Sequence, residues 1–272
     1  MSLLLSTPRL LLTLLLLLPA GLLAEQVPAS ASDTAASSSA SRPFIWVTDA
    51  EKPAILAKIA NHSWAASQFS QLQSRAAAEL ASHQADRDAF IRELPIDWDL
   101  SPARYRTTQN YSEAEVRGPS ESKFNAALDA AVLYYLTDDP QYAELAGDIL
   151  HNAVKTLIQA PVSTNANKGG WIFYTDFLKG ARVTGTQLAV VYDFLYDYLQ
   201  ANDVYDVQTG GLTGFAFDDA QAVFRQYYQL ARDRGFRSHT NWHALMATSM
   251  LNNLLALDNE AEREAALDVY LV

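Results

Sequence analysis

The ten residues Arg234-Gly235-Phe236-Arg237-Ser238-His239-Thr240-Asn241-Trp242-His243 hold two of the chain's five histidines, together with an asparagine, a tryptophan and two arginines. These types suit work on an anion: histidine as a base near neutral pH, an amide as hydrogen-bond donor, and guanidinium groups as counter-charges. The segment follows one apolar helical stripe (Val223, Phe224, Tyr227, Leu230, Ala231) and precedes another (Leu245, Met246, Met250, Leu254, Leu257), so it opens a helix. Asn241 then meets the positive field of unpaired N–H groups, which attracts anions and keeps a nearby imidazole neutral. A plain N-cap role also suits Asn241, and His243 also fits as a satisfied helix-end histidine. His239 and His243 stand at i, i+4 and share a face, whereas Asn241 and His243 at i, i+2 converge only in an irregular first turn. The i, i+4 pair has zinc-ligand spacing, but the sequence offers no third ligand, so neither a metal nor another cofactor is expected.

The elements that must position this segment read as helices. Thr48 with Glu51 forms a capping box ahead of Ile55, Leu56 and Ile59, and a second stripe runs from Trp64 to Leu80. Residues 94–120, with Pro95, Pro102, Gly118 and Pro119, read as a long aromatic-bearing loop, either functional or a surface wrap. From Ser122 the positions Phe124, Ala127, Leu128, Ala131, Val132, Tyr135 and Leu136 give one apolar face that stops at Asp138-Asp139-Pro140. A second stripe then runs from Tyr142 to Ile158, which predicts an antiparallel pair joined by a tight turn. Further stripes span 188–199, 223–231 and 245–257, with Gly235 as a helix stop and a last helical segment over 260–272. No strand alternation is evident. The expected fold class is all-α, helical hairpins in array, as a solenoid or an (α/α) toroid.

Residues 1–24 read as a signal peptide: Arg9, a leucine run too short to span a bilayer, then small residues suited to cleavage. Residues 25–42 are Ala/Ser-rich and expected to be a disordered tether, leaving 43–272 as the folded domain. The chain is thus expected to be secreted or periplasmic, with no membrane association after cleavage. It has no cysteine, which excludes disulfides, thiol nucleophiles and thiolate metal sites. The net charge of -11 becomes one unit more negative once Arg9 leaves, which argues against nucleic acid as a partner. Oligomeric state is not legible.

Three stretches together resemble the (α/α)-toroid polysaccharide lyases of the heparinase II/III and alginate lyase group. They are Ala126 through Ala143 with its Asp-Asp-Pro-Gln-Tyr turn, Leu188 through Tyr196 with Tyr192-Asp193-Phe194, and Thr240-Asn241-Trp242-His243-Ala244. The resemblance spans roughly residues 43–257 and implies an incomplete (α/α) toroid that cleaves an acidic, uronate-containing polysaccharide such as alginate or a glycosaminoglycan by β-elimination. In such a reaction the substrate carboxylate is neutralised, a base takes the adjacent proton, and an acid serves the leaving oxygen. The resemblance assigns Asn241 to the first task and His243 or His239 to the second. Trp242, Arg237, Arg234, Trp171, Tyr174 and Lys179 become candidates for substrate binding. Lys168 and Arg182 add charge, and Trp98 and Tyr105 add aromatic surface beside irregular segments. Trp242 suits the core as well as a sugar platform.

In that family the catalytic tyrosine lies in a later helix pair and a β-sandwich follows. This sequence reaches Val272 before either, and Tyr270 lies too close to His243 to be assigned, so a longer protein or a truncated paralogue is expected. Two other readings stay open. One is a helical glycan-binding scaffold without turnover; the other is a toroidal glycoside hydrolase, for which Asp176 and Asp193 would be the carboxylates.

Overall fold

The computed structural model describes residues 41–165, 169–235 and 242–271. The expected signal peptide, most of the tether, Lys168, Arg237, His239 and Asn241 lie outside the described residues. For Trp242, His243 and Tyr270 only the backbone is described.

The fold is all-α. Helices α1 (Lys52–Asn61), α2 (Ser63–Ala85) and α3 (Arg87–Arg92) lead into α4 (Glu113–Thr137) and α5 (Pro140–Leu157). There follow α6 (Phe177–Val183), α7 (Gln187–Ala201), α8 (Phe217–Leu230), α9 (Trp242–Leu255) and α10 (Glu260–Leu271). The Thr48–Glu51 capping box forms, with Thr48 N–H donating to Glu51 Oε2 at 2.8 Å. The turn between α4 and α5 also follows the sequence. Asp138 takes the left-handed conformation at φ 58°, Asp139 caps by accepting from Gln141 N–H, and Pro140 opens α5.

Helix α5 is the hub. It packs on α4, α7, α8 and the ribbon after α7, and thirteen of its residues are buried. A helix so enclosed must satisfy its polar side chains internally. Asp148 accepts from Tyr205 N–H at 2.7 Å, while Asn152 donates to Tyr205 O and accepts from Val207 N–H. Side chains of α5 thereby pair the exposed edge of a strand.

That strand is one of several corrections. Two antiparallel ribbons are present, β1 (Ile96–Asp97) with β2 (Arg104–Tyr105), and β3 (Val204–Asp206) with β4 (Gly211–Thr213). Pieces of two or three residues are too short to show a two-residue period. Helix α4 begins at Glu113, nine residues before the apolar stripe suggests. Ser112 and Glu115 form a capping box there, with Ser112 N–H donating to Glu115 Oε2 at 2.8 Å. Pro119 lies inside α4, beyond that capped first turn. The segment before α7 contains a separate helix, α6, capped by Asp176 through Leu178 N–H. Gly235, expected as a helix stop, closes a π-helical turn over Ala231–Gly235.

The folded body also begins earlier than residue 43. Arg42 is buried, and Nη1 reaches Asp193 Oδ1 at 2.8 Å while Nη2 reaches Ala256 O at 3.0 Å and Asp258 Oδ1 at 3.1 Å. Asp193 Oδ2 accepts from the N–H groups of Phe44 and Ile45. Composition placed Arg42 in the tether, but its long-range partners hold it in the core.

Candidate functional site

Four of the substrate-binding candidates, Trp171, Tyr174, Lys179 and Arg234, gather around one connection, the segment from α5 to α6. Ser163 N–H donates to Gly170 O and Gly170 N–H to Phe173 O, which folds Gly170 back onto Ser163 and Phe173. Gly169 and Gly170 are glycines of necessity. A Cβ at Gly169 would meet Ser163 Oγ at 2.2 Å, and one at Gly170 would meet Phe173 O at 2.7 Å.

Arg234 fastens this loop to the π-helical turn. Its Nη1 donates to Ser163 O at 2.8 Å and to Gly169 O at 2.9 Å, bridging two carbonyls. The π-helical insertion is a feature that recurs at functional sites, and it sets the direction in which the chain leaves α8. Trp171 is buried, donates Nε1–H to Ala160 O at 2.7 Å, and packs against Tyr227 with ring centroids 5.3 Å apart. It is therefore part of the packed wall. Tyr174 is half-buried and its N–H donates to Thr108 Oγ1, while Thr108 N–H donates to Ile172 O. Lys179 is half-exposed and pairs with Glu113 at 2.5 Å, a hydrogen bond that holds the Glu113 carboxyl below its usual range.

The two aromatic segments read as irregular thus meet, residues 105–111 lying along 171–174. Tyr105 is buried and exchanges a hydrogen bond with Ser120 at 2.7 Å. Trp98 is half-buried and donates to Arg92 O. Burial pushes the Tyr105 and Tyr227 phenols far above their ordinary value, so neither is poised as an acid or base near neutral pH. The carboxylates considered for hydrolysis have structural work: Asp176 caps α6, and Asp193 holds Arg42 and two N–H groups.

Helix α9 starts at Trp242, directly after Asn241, and packs against α6, α7, α8 and the π-helical turn. Its fourteen residues give the N-terminus a developed field. Beyond that start the helix turns polar on one side, and the sequence reading missed this. Ser249, Asn252 and Asn253 are buried, and Asn253 Nδ2 donates to Gly185 O. The legible signal was three polar residues interleaved with Met246, Met250 and Leu254.

A second polar cluster is His151, Lys155, Asp206 and Asp219, of which His151 and Asp206 are buried. His151 Nδ1 accepts from Ala216 N–H at 3.3 Å, and Nε2 stands 3.7 Å from Asp206 Oδ2, beyond hydrogen-bond range. Lys155 Nζ reaches the same oxygen at 2.5 Å. Burial favours the protonated Asp206, yet His151, Lys155 and the Gln208 N–H outweigh it and hold the carboxyl well below the usual range. Burial raises Asp219. Among the described residues no three His, Cys, Asp or Glu side chains stand close enough to hold a metal ion.

With this geometry in place, comparison with known proteins gives one informative match. An endo-acting ulvan lyase from Formosa agariphila is 28% identical over 243 residues, covering 86% of this chain. The chain is related to a polysaccharide lyase. It spans 28% of that relative's length. No family model matches the sequence. The matched length takes in most of the folded body, so the relation extends well beyond the short motifs around Asn241.

Proposed function

We propose that the protein is an exported polysaccharide lyase of the (α/α)-toroid type, cleaving an acidic polysaccharide by β-elimination. The observation that carries this reading is the match to the ulvan lyase along 86% of the chain. Ulvan accordingly joins alginate and the glycosaminoglycans as a substrate to test. In this reading Asn241 donates its amide to the substrate carboxylate at the start of α9, aided by the helix field, and His243 or His239 takes the proton. The start of α9 at Trp242, directly after Asn241, supports it, because it sets the asparagine at a helix N-terminus.

The test is the ultraviolet absorbance of an unsaturated uronyl product on ulvan, alginate, heparan sulfate and chondroitin sulfate. Wild type is expected to generate it on one of them, and Asn241→Ala to abolish it. Comparing His243→Ala with His239→Ala identifies the base. No absorbance on any of the four from the full-length protein sinks the reading, and glycan binding that survives Asn241→Ala with His243→Ala points to a scaffold without turnover.

A further inference from the structure

A cavity of about 120 Å³ opens between the chain ahead of α1 and the helices α4 and α7. Its inner lining is aromatic. Tyr135 and Phe194 are buried there, with ring centroids 5.3 Å apart. Tyr134 and Tyr198 are half-buried, and their rings meet at 68° with centroids 5.6 Å apart, which gives two adjoining walls. Asp49, Asp138 and Asp197 are exposed and line the opening. Arg42, which also lines the cavity, donates to Ala256 O just past the end of α9. The cavity therefore lies at the far end of α9 from Asn241, about 20 Å along the helix.

The charge of the lining is one-sided. Four carboxylates and two cations contribute to it. Arg42 is paired with Asp193 at 2.8 Å and Lys52 with Asp138 at 2.6 Å. Asp49 and Asp197 have no ion-pair partner among the described residues, so two negative charges remain. Burial raises the Tyr134 and Tyr135 phenols, and nearby carboxylates add to it: Asp138 and Asp197 at Tyr134, Asp49 and Glu51 at Tyr135. The aromatic walls thus sit in a negative potential. Uronate and sulfate groups are repelled by it, so the polysaccharide of the lyase reading does not belong here.

Lys52 shows what the lining accepts. Its ammonium group stands 5.6 Å from the Tyr135 ring centroid while pairing with Asp138, the two contacts that hold an organic cation in an acid-rimmed aromatic site. A bare metal ion is a poor match, because among the described residues no three carboxylates or imidazoles converge on one point. We infer that the cavity binds a short primary alkylammonium ion, with N–H groups on Asp49 and Asp197 and methylenes against Tyr134 and Tyr198. Its volume of about 120 Å³ suits a small organic molecule, since ~150 Å³ suffices for benzene. The inference stands whether or not the protein is a lyase.

Two experiments test it. Amide spectra of the full chain are recorded at low ionic strength with 1,4-diaminobutane, with magnesium chloride at matched ionic strength, and with sodium glucuronate. Shifts at Asp49, Tyr134, Asp197 and Tyr198 with the diamine alone are expected. No shift with the diamine, or equal shifts with magnesium or glucuronate, overturns the proposal. Affinity for the diamine is then measured by calorimetry for three variants. Asp49→Asn/Asp197→Asn is expected to weaken binding about five- to twentyfold and Tyr198→Leu about two- to fivefold. Lys52→Met is expected to tighten binding about two- to fivefold, because it frees Asp138 and removes a positive charge from the lining. Asp49 and Asp197 are exposed, so their replacement leaves the fold intact, which the melting temperature checks. Unchanged affinity in that double variant refutes the assignment, as does weaker binding by a folded Lys52→Met.

Discussion

Replacing Arg42 by alanine removes the cation that holds the amino-terminal end of the body to α7 and α9. Its side chain is 5% exposed and that of Asp193 1%, so solvent does not screen the pair. The loss leaves the Asp193 carboxylate buried with only the Phe44 and Ile45 N–H groups. It also frees Ala256 O and Leu257 O from Arg42 Nη2. Breaking a buried pair from one side costs about 3–5 kcal/mol, against about 0–1 kcal/mol for a surface pair. For a body of this size that corresponds to a fall in melting temperature of about 6–20 °C. The pH dependence has a definite sign. Burial already raises the Asp193 pKa against the pull of the two N–H groups and Arg42, and losing Arg42 raises it further. The folded variant then binds a proton that the unfolded chain has released, so its stability falls as pH rises through the interval between the ordinary carboxylate value and the raised one. Thermal melts in mildly acidic and in neutral buffer should therefore show a smaller Arg42→Ala penalty in acid, and Arg42→Ala/Asp193→Asn should recover part of the loss at neutral pH. A penalty below about 1 kcal/mol, or one independent of pH, would refute the assignment of Arg42 to the core.

Three further outcomes are expected. Ser112→Ala removes the cap of α4 and should lower stability by about 1 kcal/mol in denaturant titrations, with Ser112→Gly costing less. Asp206 has a depressed pKa, so its stabilising effect is present above the ordinary aspartate range and is lost as pH falls through the lowered value. Acid melts should accordingly show wild type losing more stability on acidification than Asp206→Asn. Arg234→Ala should speed amide exchange at Gly169 and Gly170 while leaving the exchange of α5 amides unchanged, because only the bridge to the 163–170 loop is cut.

Much of the helical framework is legible in the residues. The Thr48–Glu51 box, the Asp139-Pro140 start and the apolar stripes of α4, α5, α7, α8 and α9 are local signals, set by capping chemistry and a 3.6-residue period. At Pro119 a proline that commonly ends helices sits within one, because the Ser112–Glu115 box starts the helix upstream. The ribbons escape notice because strands of two or three residues are too short to show a period, and β3 is held in addition by α5 side chains.

For the site, the sequence by itself determined which chemistries were available: no thiols, few histidines, and an asparagine with histidines at a helix start. Only the tertiary structure decided what the neighbouring side chains do. It turned Trp171 into wall and Arg234 into a bridge, because each has a partner far along the chain. It drew Arg42 out of a polar tether into the core, where Asp193 requires a cation. It also set Ser249 and Asn253 of α9 against Gly185, just ahead of α7, an arrangement that one-dimensional spacing does not encode. Local patterns specify helices because their hydrogen bonds close within four residues; sites depend on which helix faces which, and that is settled by packing.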